Sequence, residues 1–167
     1  MQTPCYKNHP FCLLCIKINP YFCKTKHSQD MKQKHLDVVC AVVRKDGKYF
    51  CAQRLRKGPD YVAEHWEFPG GKVKEGETRE QALRREMKEE LDWDIEVGKK
   101  LAQVVQTYPD FSITLTAFEC RAQNDNFKLL AHIDSRWLLP HQLGQLEWTE
   151  ADKQIIELLL QKEEKGT

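Results

Sequence analysis

The sequence predicts an α/β fold in which helices pack on the faces of a mixed β-sheet. Apolar, β-branched runs typical of strands stand before, between and after two segments whose apolar residues have helical spacing. The 167 residues are enough for one domain with a sizeable core, and 41% hydrophobic and 31% charged residues are ordinary for a globular protein. No apolar run approaches the roughly 20 residues that cross a bilayer, so a membrane protein is not expected.

The first elements are a hairpin and a short strand. The run from Leu36 to Val43 is apolar and β-branched, and the polar turn from Lys45 to Lys48 leads into a second strand from Tyr49 to Gln53. Residues 56–64 contain Gly58 and Pro59 in a polar setting, which indicates a loop. A short strand at residues 66–68 follows.

The first helix is predicted over residues 78–91. Thr78 is followed three residues later by Gln81, which is typical of a capping box at a helix start. Helical spacing then relates three apolar residues, Leu83, Met87 and Leu91. These residues are expected to form the buried stripe of the helix.

The second half of the chain predicts another hairpin and a terminal helix. Strands over residues 95–106 and 112–121 are joined by Tyr108-Pro109-Asp110. An extended piece reaches Trp137, and residues 151–162 have the spacing of an amphipathic helix.

The stretch WEFPGGKVKEGE, residues 66–77, combines two adjacent glycines with a sudden change to charged residues. One explanation is a tight turn after a strand, because glycine tolerates backbone angles that other residues resist. The other is a loop whose main-chain groups approach a phosphate or a metal ion. The residues that follow decide between the two.

Three glutamates share one edge of the predicted helix. Each helical residue advances by about 100°, so Glu86, Glu89 and Glu90 fall within an arc of about 100° beside the apolar stripe. Like charges at this spacing destabilise an isolated helix by a few tenths of a kcal/mol per pair. The cluster is therefore either a solvated helix face or a set of oxygen ligands for a hard cation.

The spacing from Gly71 to Trp93 resembles the Nudix box, GX5EX7REUXEEXGU. Gly71 is followed after five residues by Glu77 and after seven more by the run REMKEELDW, residues 85–93. Asp92 stands where the box has glycine, which affects how the helix ends. The preceding EFPGGK, residues 67–72, resembles the MutT branch of the family, and the resemblance covers residues 36–162.

This resemblance implies a Nudix fold, an α/β/α sandwich with a mixed β-sheet, and a hydrolase that uses Mg2+, with Mn2+ as an alternative. MutT-like members convert a nucleoside triphosphate and water into a nucleoside monophosphate and pyrophosphate. The implied role is nucleotide-pool sanitising, a form of DNA repair, on 8-oxo-dGTP or on CTP and modified dCTP. Two alternatives are a Nudix-like module that binds nucleotides without hydrolysis, and a Nudix enzyme for another nucleoside diphosphate derivative.

The resemblance also implies the roles of residues in the box. The metal ligands would be Gly71, through its carbonyl oxygen, and the three glutamates of the helix. Glu86 or Glu89 would be the catalytic base for water. Supporting roles fall to Glu77 and Arg85.

Other implied roles lie outside the box. Arg54 and Lys72 correspond to phosphate-binding positions, and Asp152 corresponds to the residue that reads the base. An ionised Asp152 suits the amine of cytosine, whereas a protonated one suits an oxidised guanine. The alternative for Asp152 is an N-terminal helix cap. The candidates for stacking on the base are Tyr108, Phe111 and Trp148.

One metal ligand of the MutT pattern has no counterpart here. MutT-type proteins often take a further ligand from a glutamate before the last strand, but Ala131 occupies that place. His132 or Asp134 could substitute for it. Capping or solvation are the alternatives for both side chains.

Charge and cysteine content bear on partners and compartment. A formal net charge of +1 argues against a broad surface for duplex nucleic acid, while a small anionic substrate remains compatible. Cys40, Cys51 and Cys120 lie in strand-like runs and are expected to be buried thiols of a reducing compartment. We therefore expect a cytoplasmic enzyme, monomeric or homodimeric, acting on a nucleoside triphosphate.

Residues 1–30 differ in composition from the rest of the chain. They contain no Ala, Gly, Val, Glu or Arg, as translated AT-rich leader sequence would. We expect a disordered or non-native leader, a natural start at Met31 and a Nudix domain over residues 31–167. The alternative is a zinc module with four ligands, Cys12, Cys15, Cys23 and His27.

Overall fold

The computed structural model describes residues 34–165, with side chains described through residue 162. The expected leader at residues 1–30, the expected start at Met31 and the alternative zinc ligands, Cys12, Cys15, Cys23 and His27, lie outside the described residues.

The described chain forms seven strands, two α-helices and one 3-10 helix. The strands are β1 Lys34–Lys45, β2 Lys48–Arg54, β3 Trp66–Glu67, β4 Gly70–Lys72, β5 Ile95–Thr107, β6 Phe111–Ala122 and β7 His132–Leu138. The helices are α1 Arg79–Leu91 and α2 Glu150–Lys165, and the 3-10 helix is Pro140–Gln145. Within residues 34–165, no helix is long and apolar enough to cross a membrane.

The seven strands form one mixed sheet. Its main path runs in the order β3-β2-β1-β6-β5, while β4 pairs with β1 and β7 pairs with β2. The central pair, β1 and β6, is parallel, and the other pairs are antiparallel. Both predicted hairpins, β1–β2 and β5–β6, are present.

Side-chain alternation along the strands builds a core on each face of the sheet. On β1, Val39, Ala41 and Val43 pack with the apolar stripe of α1. The intervening Cys40 and Val42 pack on the opposite face with α2. This is the period-2 pattern of a strand buried on both sides. The α/β/α arrangement expected from the sequence is therefore confirmed.

Helix α1 begins as the capping box predicts. The Thr78 hydroxyl accepts a hydrogen bond from the Gln81 N–H at 3.2 Å, and the Gln81 side chain accepts one from the Thr78 N–H at 2.8 Å. Leu83, Met87 and Leu91 are fully buried. The start of this helix and the side it buries are thus as predicted.

The helix ends at Asp92, the residue that stands in place of glycine. Asp92 has left-handed angles, φ 48° and ψ 35°, and its N–H donates to the Lys88 carbonyl. Its carboxylate pairs with Lys88 and Lys128, each at 2.8 Å. Hydrogen bonds from these two lysines lower the pKa of Asp92 to about 2. The helix therefore keeps the usual left-handed ending with a charged residue.

The glycine-rich stretch differs from the expected loop. Gly70–Lys72 is a strand, β4, whose residues pair with Val38, Val39 and Cys40 of β1. A Cβ atom on Gly70 would lie 2.1 Å from the Val39 carbonyl oxygen, so β4 can lie this close to β1 only without a side chain there. The 3-10 helix Pro140–Gln145 was also not predicted.

Candidate active site

A cavity of about 800 Å3 is lined by residues of the sheet, of α1 and of the start of α2. Its acidic lining includes Glu67, Glu86, Glu90 and Asp152, and its basic lining includes Lys34, Arg54, Lys57 and Lys72. Gly70 and Gly71 form part of its wall. Both the box helix and the residue predicted to read the base thus border one cavity.

Arg85 holds three carboxylates at the edge of this cavity. It donates to Glu77 at 2.6 and 3.0 Å, to Glu86 at 2.7 Å and to Glu89 at 3.2 Å. A further hydrogen bond at 3.0 Å reaches the Lys72 carbonyl and ties the helix to β4. Hydrogen bonds from Arg85 and from the Lys74 backbone lower the pKa of Glu77 to about 2. Glu77 is therefore ionised wherever Arg85 is in place.

Glu86 lies directly over Gly71. A Cβ atom on Gly71 would come within 2.4 Å of the Glu86 carboxyl carbon. The space that Glu86 occupies therefore exists because residue 71 is glycine. Glu89, by contrast, is about half exposed and bonds to Arg85, with Lys74 at 3.7 Å.

Glu90 is largely buried, with 22% of its side chain exposed against 52% for Glu89. Its Oε2 atom is buried and has no hydrogen-bond partner among the described residues. Burial, followed by the charges of Glu67 and Glu86, raises the pKa of Glu90 to about 8. A backbone hydrogen bond from Gly70 reaches the carboxylate, but a buried carboxylate oxygen without a partner is costly, so Oε2 calls for a positive partner.

Glu67 lies at the centre of the acidic lining. Arg54 donates from Nη1 to Glu67 Oε2, and His132 Nε2 lies 3.1 Å from Glu67 Oε1. The charge of Glu67 raises the pKa of Arg54. Arg54 lines the cavity with 37% of its side chain exposed, and its Nε atom is buried without a hydrogen-bond partner among the described residues.

Asp152 also lines the cavity and lies in the first turn of α2. Its Oδ1 accepts from the Phe68 N–H at 3.1 Å, and its Oδ2 accepts from the Thr149 hydroxyl at 2.6 Å. Burial, followed by the charge of Glu67, raises the pKa of Asp152 to about 7. Both protonation states of this carboxyl are therefore present near neutral pH.

The three aromatic candidates for stacking have different positions. Tyr108 and Phe111 line the cavity, and Tyr108 stacks on Tyr61 with ring centroids 5.3 Å apart. Trp148 is buried in the core, where its Nε1–H donates to the Leu143 carbonyl at 2.6 Å and its ring packs on Phe68. Trp148 is thus a core residue and is not a stacking platform.

Comparison with known proteins identifies the family. A family model described as NUDIX domain matches residues 33–159. The chain belongs to the NUDIX family.

Individual relatives indicate the branch of the Nudix family to which this chain belongs. The 8-oxo-dGTP diphosphatase of Proteus vulgaris is 40% identical over 89 residues, 53% of this chain and 78% of that protein. The CTP pyrophosphohydrolase of Escherichia coli K12 is 32% identical over 127 residues, 76% of this chain and 93% of that protein. The solution structure of the E. coli ORF135 protein is 30% identical, with a TM-score of 0.66 over 77% of this chain and 91% of that chain. The chain is a Nudix hydrolase of the MutT type.

The structure brings most of the predicted Nudix site residues together. Five of them line the cavity: Arg54, Gly71, Lys72, Glu86 and Glu90. Asp152 lines it as well, while Glu77 and Arg85 lie beside it as supports. Glu89 lies at the outer edge and reaches the others through Arg85.

The donor set of this cavity fits a divalent cation. Within residues 34–162, no three His, Cys, Asp or Glu side chains are already arranged as a metal site, and Arg85 binds Glu86 and Glu89. The buried Glu90 Oε2 without a partner and the facing carboxylates of Glu67 and Glu86 are nevertheless hard oxygen donors in need of positive charge. Nudix hydrolases in general use divalent metal ions, in agreement with this donor set.

Sequence reasoning missed or undervalued several cavity residues. Glu67 belongs to the EFPGGK motif, but the motif alone does not indicate a role for it. Lys34 and Lys57 belong to no motif, yet both line the cavity. Of the two substitutes for the missing glutamate at Ala131, Asp134 bonds to its neighbours Ser135 and Arg136. His132 instead reaches Glu67.

Proposed function

We propose that this protein is a Mg2+-dependent nucleoside triphosphate pyrophosphohydrolase that also accepts Mn2+. It would convert a triphosphate and water into a monophosphate and pyrophosphate. The substrate class is 8-oxo-dGTP, or CTP and modified dCTP, and the role is removal of unwanted nucleotides from the cytoplasmic pool. This substrate class is supported by two relatives of the chain, which are named 8-oxo-dGTP diphosphatase and CTP pyrophosphohydrolase.

The observation that carries the proposal is a single cavity that is lined by two chemically different groups of residues. Glu86, Glu90 and Gly71 form one group, and the buried Asp152 lines the same cavity. The first group suits a metal-bound phosphate chain, and Asp152 suits the polar edge of a base. A volume of about 800 Å3 is of the size that accommodates a small-molecule ligand.

The box residues would hold the metal ion. Glu86, Glu89, Glu90 and the carbonyl of Gly71 are the proposed ligands, with Glu77 and Arg85 keeping the carboxylates in place. A bound divalent cation would neutralise phosphate charge and make a coordinated water more acidic. Arg85 restrains Glu86 and Glu89 through hydrogen bonds that share one guanidinium.

Glu86 is the better candidate for the catalytic base. A base must come within hydrogen-bond reach of the water proton that it removes. Glu86 lines the cavity, whereas Glu89 is about half exposed at its outer edge. We therefore assign proton removal to Glu86 and charge balance to Glu89.

Arg54 and Lys72 would bind the phosphate chain. The Lys72 side chain is exposed at the cavity and has no ion pair among those found in the described residues. Arg54 spends one N–H group on Glu67 and keeps others for phosphate oxygens. Lys34 and Lys57 add positive charge to the lining.

Asp152 would read the base. With a pKa raised to about 7, its carboxyl either accepts a hydrogen bond from the amine of cytosine or donates one to an oxidised guanine. Tyr108 and Phe111 line the same cavity and are the proposed stacking partners.

The test is a hydrolysis panel with the full chain. CTP, dCTP, 5-methyl-dCTP, dGTP and 8-oxo-dGTP are incubated with Mg2+ or Mn2+, and the products are resolved by ion-exchange chromatography. We expect one strong substrate that yields a monophosphate and pyrophosphate. Nucleotide binding without turnover would instead favour a non-catalytic module, and turnover of dinucleotides or nucleotide sugars alone would favour another Nudix reaction.

A variant pair ties the activity to the proposed metal site. Glu90→Gln removes a charge from the buried cluster and should lower turnover by about a hundredfold or more, as loss of charge stabilisation does at other sites. Glu157→Gln makes the same change on the exposed surface of α2 and should leave turnover within about twofold. Equal activity in both variants would contradict the metal assignment.

A further inference from the structure

His132 is a buried polar residue behind the wall of the cavity. It is the first residue of β7 and lies opposite Arg54 of β2 in the sheet. Its side chain is only 1% exposed, and it is absent from the residues that line the cavity. A role in direct contact with the nucleotide is therefore excluded by its position.

The imidazole completes a set of donors around one carboxylate. His132 Nε2 lies 3.1 Å from Glu67 Oε1, while Arg54 donates to Glu67 Oε2. A carboxylate can only accept, so a neutral His132 must carry its proton on Nε2. Both oxygens of Glu67 are then held, one by Arg54 of β2 and one by His132 of β7, and the orientation of its carboxylate is fixed.

Glu67 in turn lies beside the proposed metal ligand Glu90. His132 Nε2 is 3.9 Å from Glu90 Oε2, the buried oxygen without a hydrogen-bond partner. A rotation of Glu67 would thus bring a second negative charge to a new position beside Glu90. The arrangement of charges around Glu90 therefore depends on the position of the Glu67 carboxylate.

We propose that His132 is a positioning residue that acts through Glu67 on metal binding at Glu90. The inference rests on the proposed function, because it assigns His132 a part in the same site. Groups behind the direct ligands commonly change metal affinity by about 10- to 100-fold when they are replaced. His132 Nδ1 is also buried without a hydrogen-bond partner, so the ring faces Glu67 with only one of its two nitrogens engaged.

The local sequence makes this role specific to the chain. Ala131 offers no carboxylate beside the cluster, and the Asp134 side chain is bonded to Ser135 and Arg136. His132 is therefore the polar side chain at the start of β7 that contacts the acidic cluster. We expect no direct His132–metal bond.

The test compares three variants of the full chain. His132→Leu keeps an apolar volume but leaves Glu67 Oε1 without its donor, whereas His132→Gln can place an amide N–H where Nε2 was. Ile133→Thr changes the exposed neighbour and serves as the control. Mn2+ binding is measured by electron paramagnetic resonance in the absence of nucleotide, and kcat/KM is measured on the best substrate of the panel.

We expect His132→Leu to weaken Mn2+ binding by about tenfold or more and to lower kcat/KM in parallel. His132→Gln should restore both to within about threefold of wild type, and Ile133→Thr should change neither. Unchanged Mn2+ affinity in a folded His132→Leu, or no rescue by a folded His132→Gln, would overturn the inference. Absence of Mn2+ binding and hydrolysis in the wild type would overturn the proposed function and the inference with it.

Discussion

Gly70 and Gly71 are adjacent, yet a side chain on each would meet a different neighbour. On Gly70, a Cβ atom would collide with the backbone of β1, which cannot move without breaking the sheet. On Gly71, it would collide with the carboxylate of Glu86, the far end of a flexible side chain. The first glycine therefore serves the fold, and the second serves the site.

Replacement of Gly71 by alanine tests this division. We expect Gly71→Ala to displace the Glu86 carboxylate and lower kcat/KM by at least about tenfold, while the free energy of unfolding changes by about 1 kcal/mol or less. Gly144→Ala is the control, because nothing lies within 4 Å of a Cβ atom there. Urea unfolding and steady-state kinetics provide the two measurements. Loss of stability in step with activity would contradict the assignment to the site.

Single residues also show where sequence reasoning about the site stops. The box spacing was sufficient to predict the glutamates of α1 and their support by Arg85, because these contacts are local to one helix and the strand before it. Glu67 and His132 are 65 residues apart and meet only because β3 and β7 both pair with β2. No spacing in the sequence encodes that contact.

The ends of α1 are fixed by local chemistry. At its start, Thr78 and Gln81 satisfy backbone donors that the helix leaves unpaired. At its end, Asp92 has a left-handed conformation that glycine would adopt more easily. The carboxylate of Asp92 forms ion pairs with Lys88 and Lys128. The capping box could be predicted from the sequence because its residues are neighbours in the chain. The contact between Lys128 and Asp92 could not, because it depends on the loop after β6 packing against the end of α1.

Two substitutions at Asp92 separate backbone strain from ion pairing. Asp92→Ala should lower the free energy of unfolding, because it loses the lysine contacts and keeps a Cβ atom in a left-handed conformation. Asp92→Gly loses the same contacts but relieves the strain, so we expect a smaller loss than in Asp92→Ala. Urea unfolding of both variants measures the difference. Equal losses would show that the ion pairs alone matter.

Strand β4 shows why one element was not predicted. A run of only three residues with two glycines has little strand propensity of its own. It becomes a strand because β1 offers Val38, Val39 and Cys40 as pairing partners and Gly70 permits the close approach. Pairing with β1 therefore decides the conformation of these residues. The segment that the sequence predicts to be a loop is a strand of the sheet.

At the scale of the whole molecule, the acidic cluster links stability to metal and pH. The pKa of Glu90 is raised to about 8 by burial and by the charges of Glu67 and Glu86. Because the folded protein holds the Glu90 proton more tightly than the unfolded chain does, protonation of Glu90 stabilises the fold. This stabilisation is fully present below the ordinary pKa of 4.5 and is lost as the pH rises through about 8. The metal-free protein is therefore weakened by its own site in alkaline solution.

A divalent cation should reverse this weakening. At pH 8, Mn2+ at about a hundred times its Kd should raise the unfolding temperature by about 5–10 °C. Glu90→Gln should lose most of this shift and, without metal, should be at least as stable as wild type because its neutral amide removes the repulsion. Differential scanning calorimetry with and without Mn2+ measures both effects. An undiminished shift in Glu90→Gln would place the cation elsewhere.

The overall architecture was predictable to the level of layers. Apolar, β-branched runs around two helical segments were sufficient for an α/β fold with helices on the faces of a mixed sheet, and the box resemblance specified the Nudix version. The order of strands was not predictable in this way, since the two hairpins could have met along different edges. The parallel pairing of β1 with β6 decides that order.

That pairing also has a consequence for biosynthesis. His35 and Ser112 are neighbours across the central ladder but are 77 residues apart in the chain. A ribosome makes β1 long before β6, so the edge of β1 that pairs with β6 has no partner in the meantime. Contacts of such long range slow folding and expose an emerging chain to aggregation. The central strand of the finished sheet thus lacks its parallel partner until most of the domain has been made.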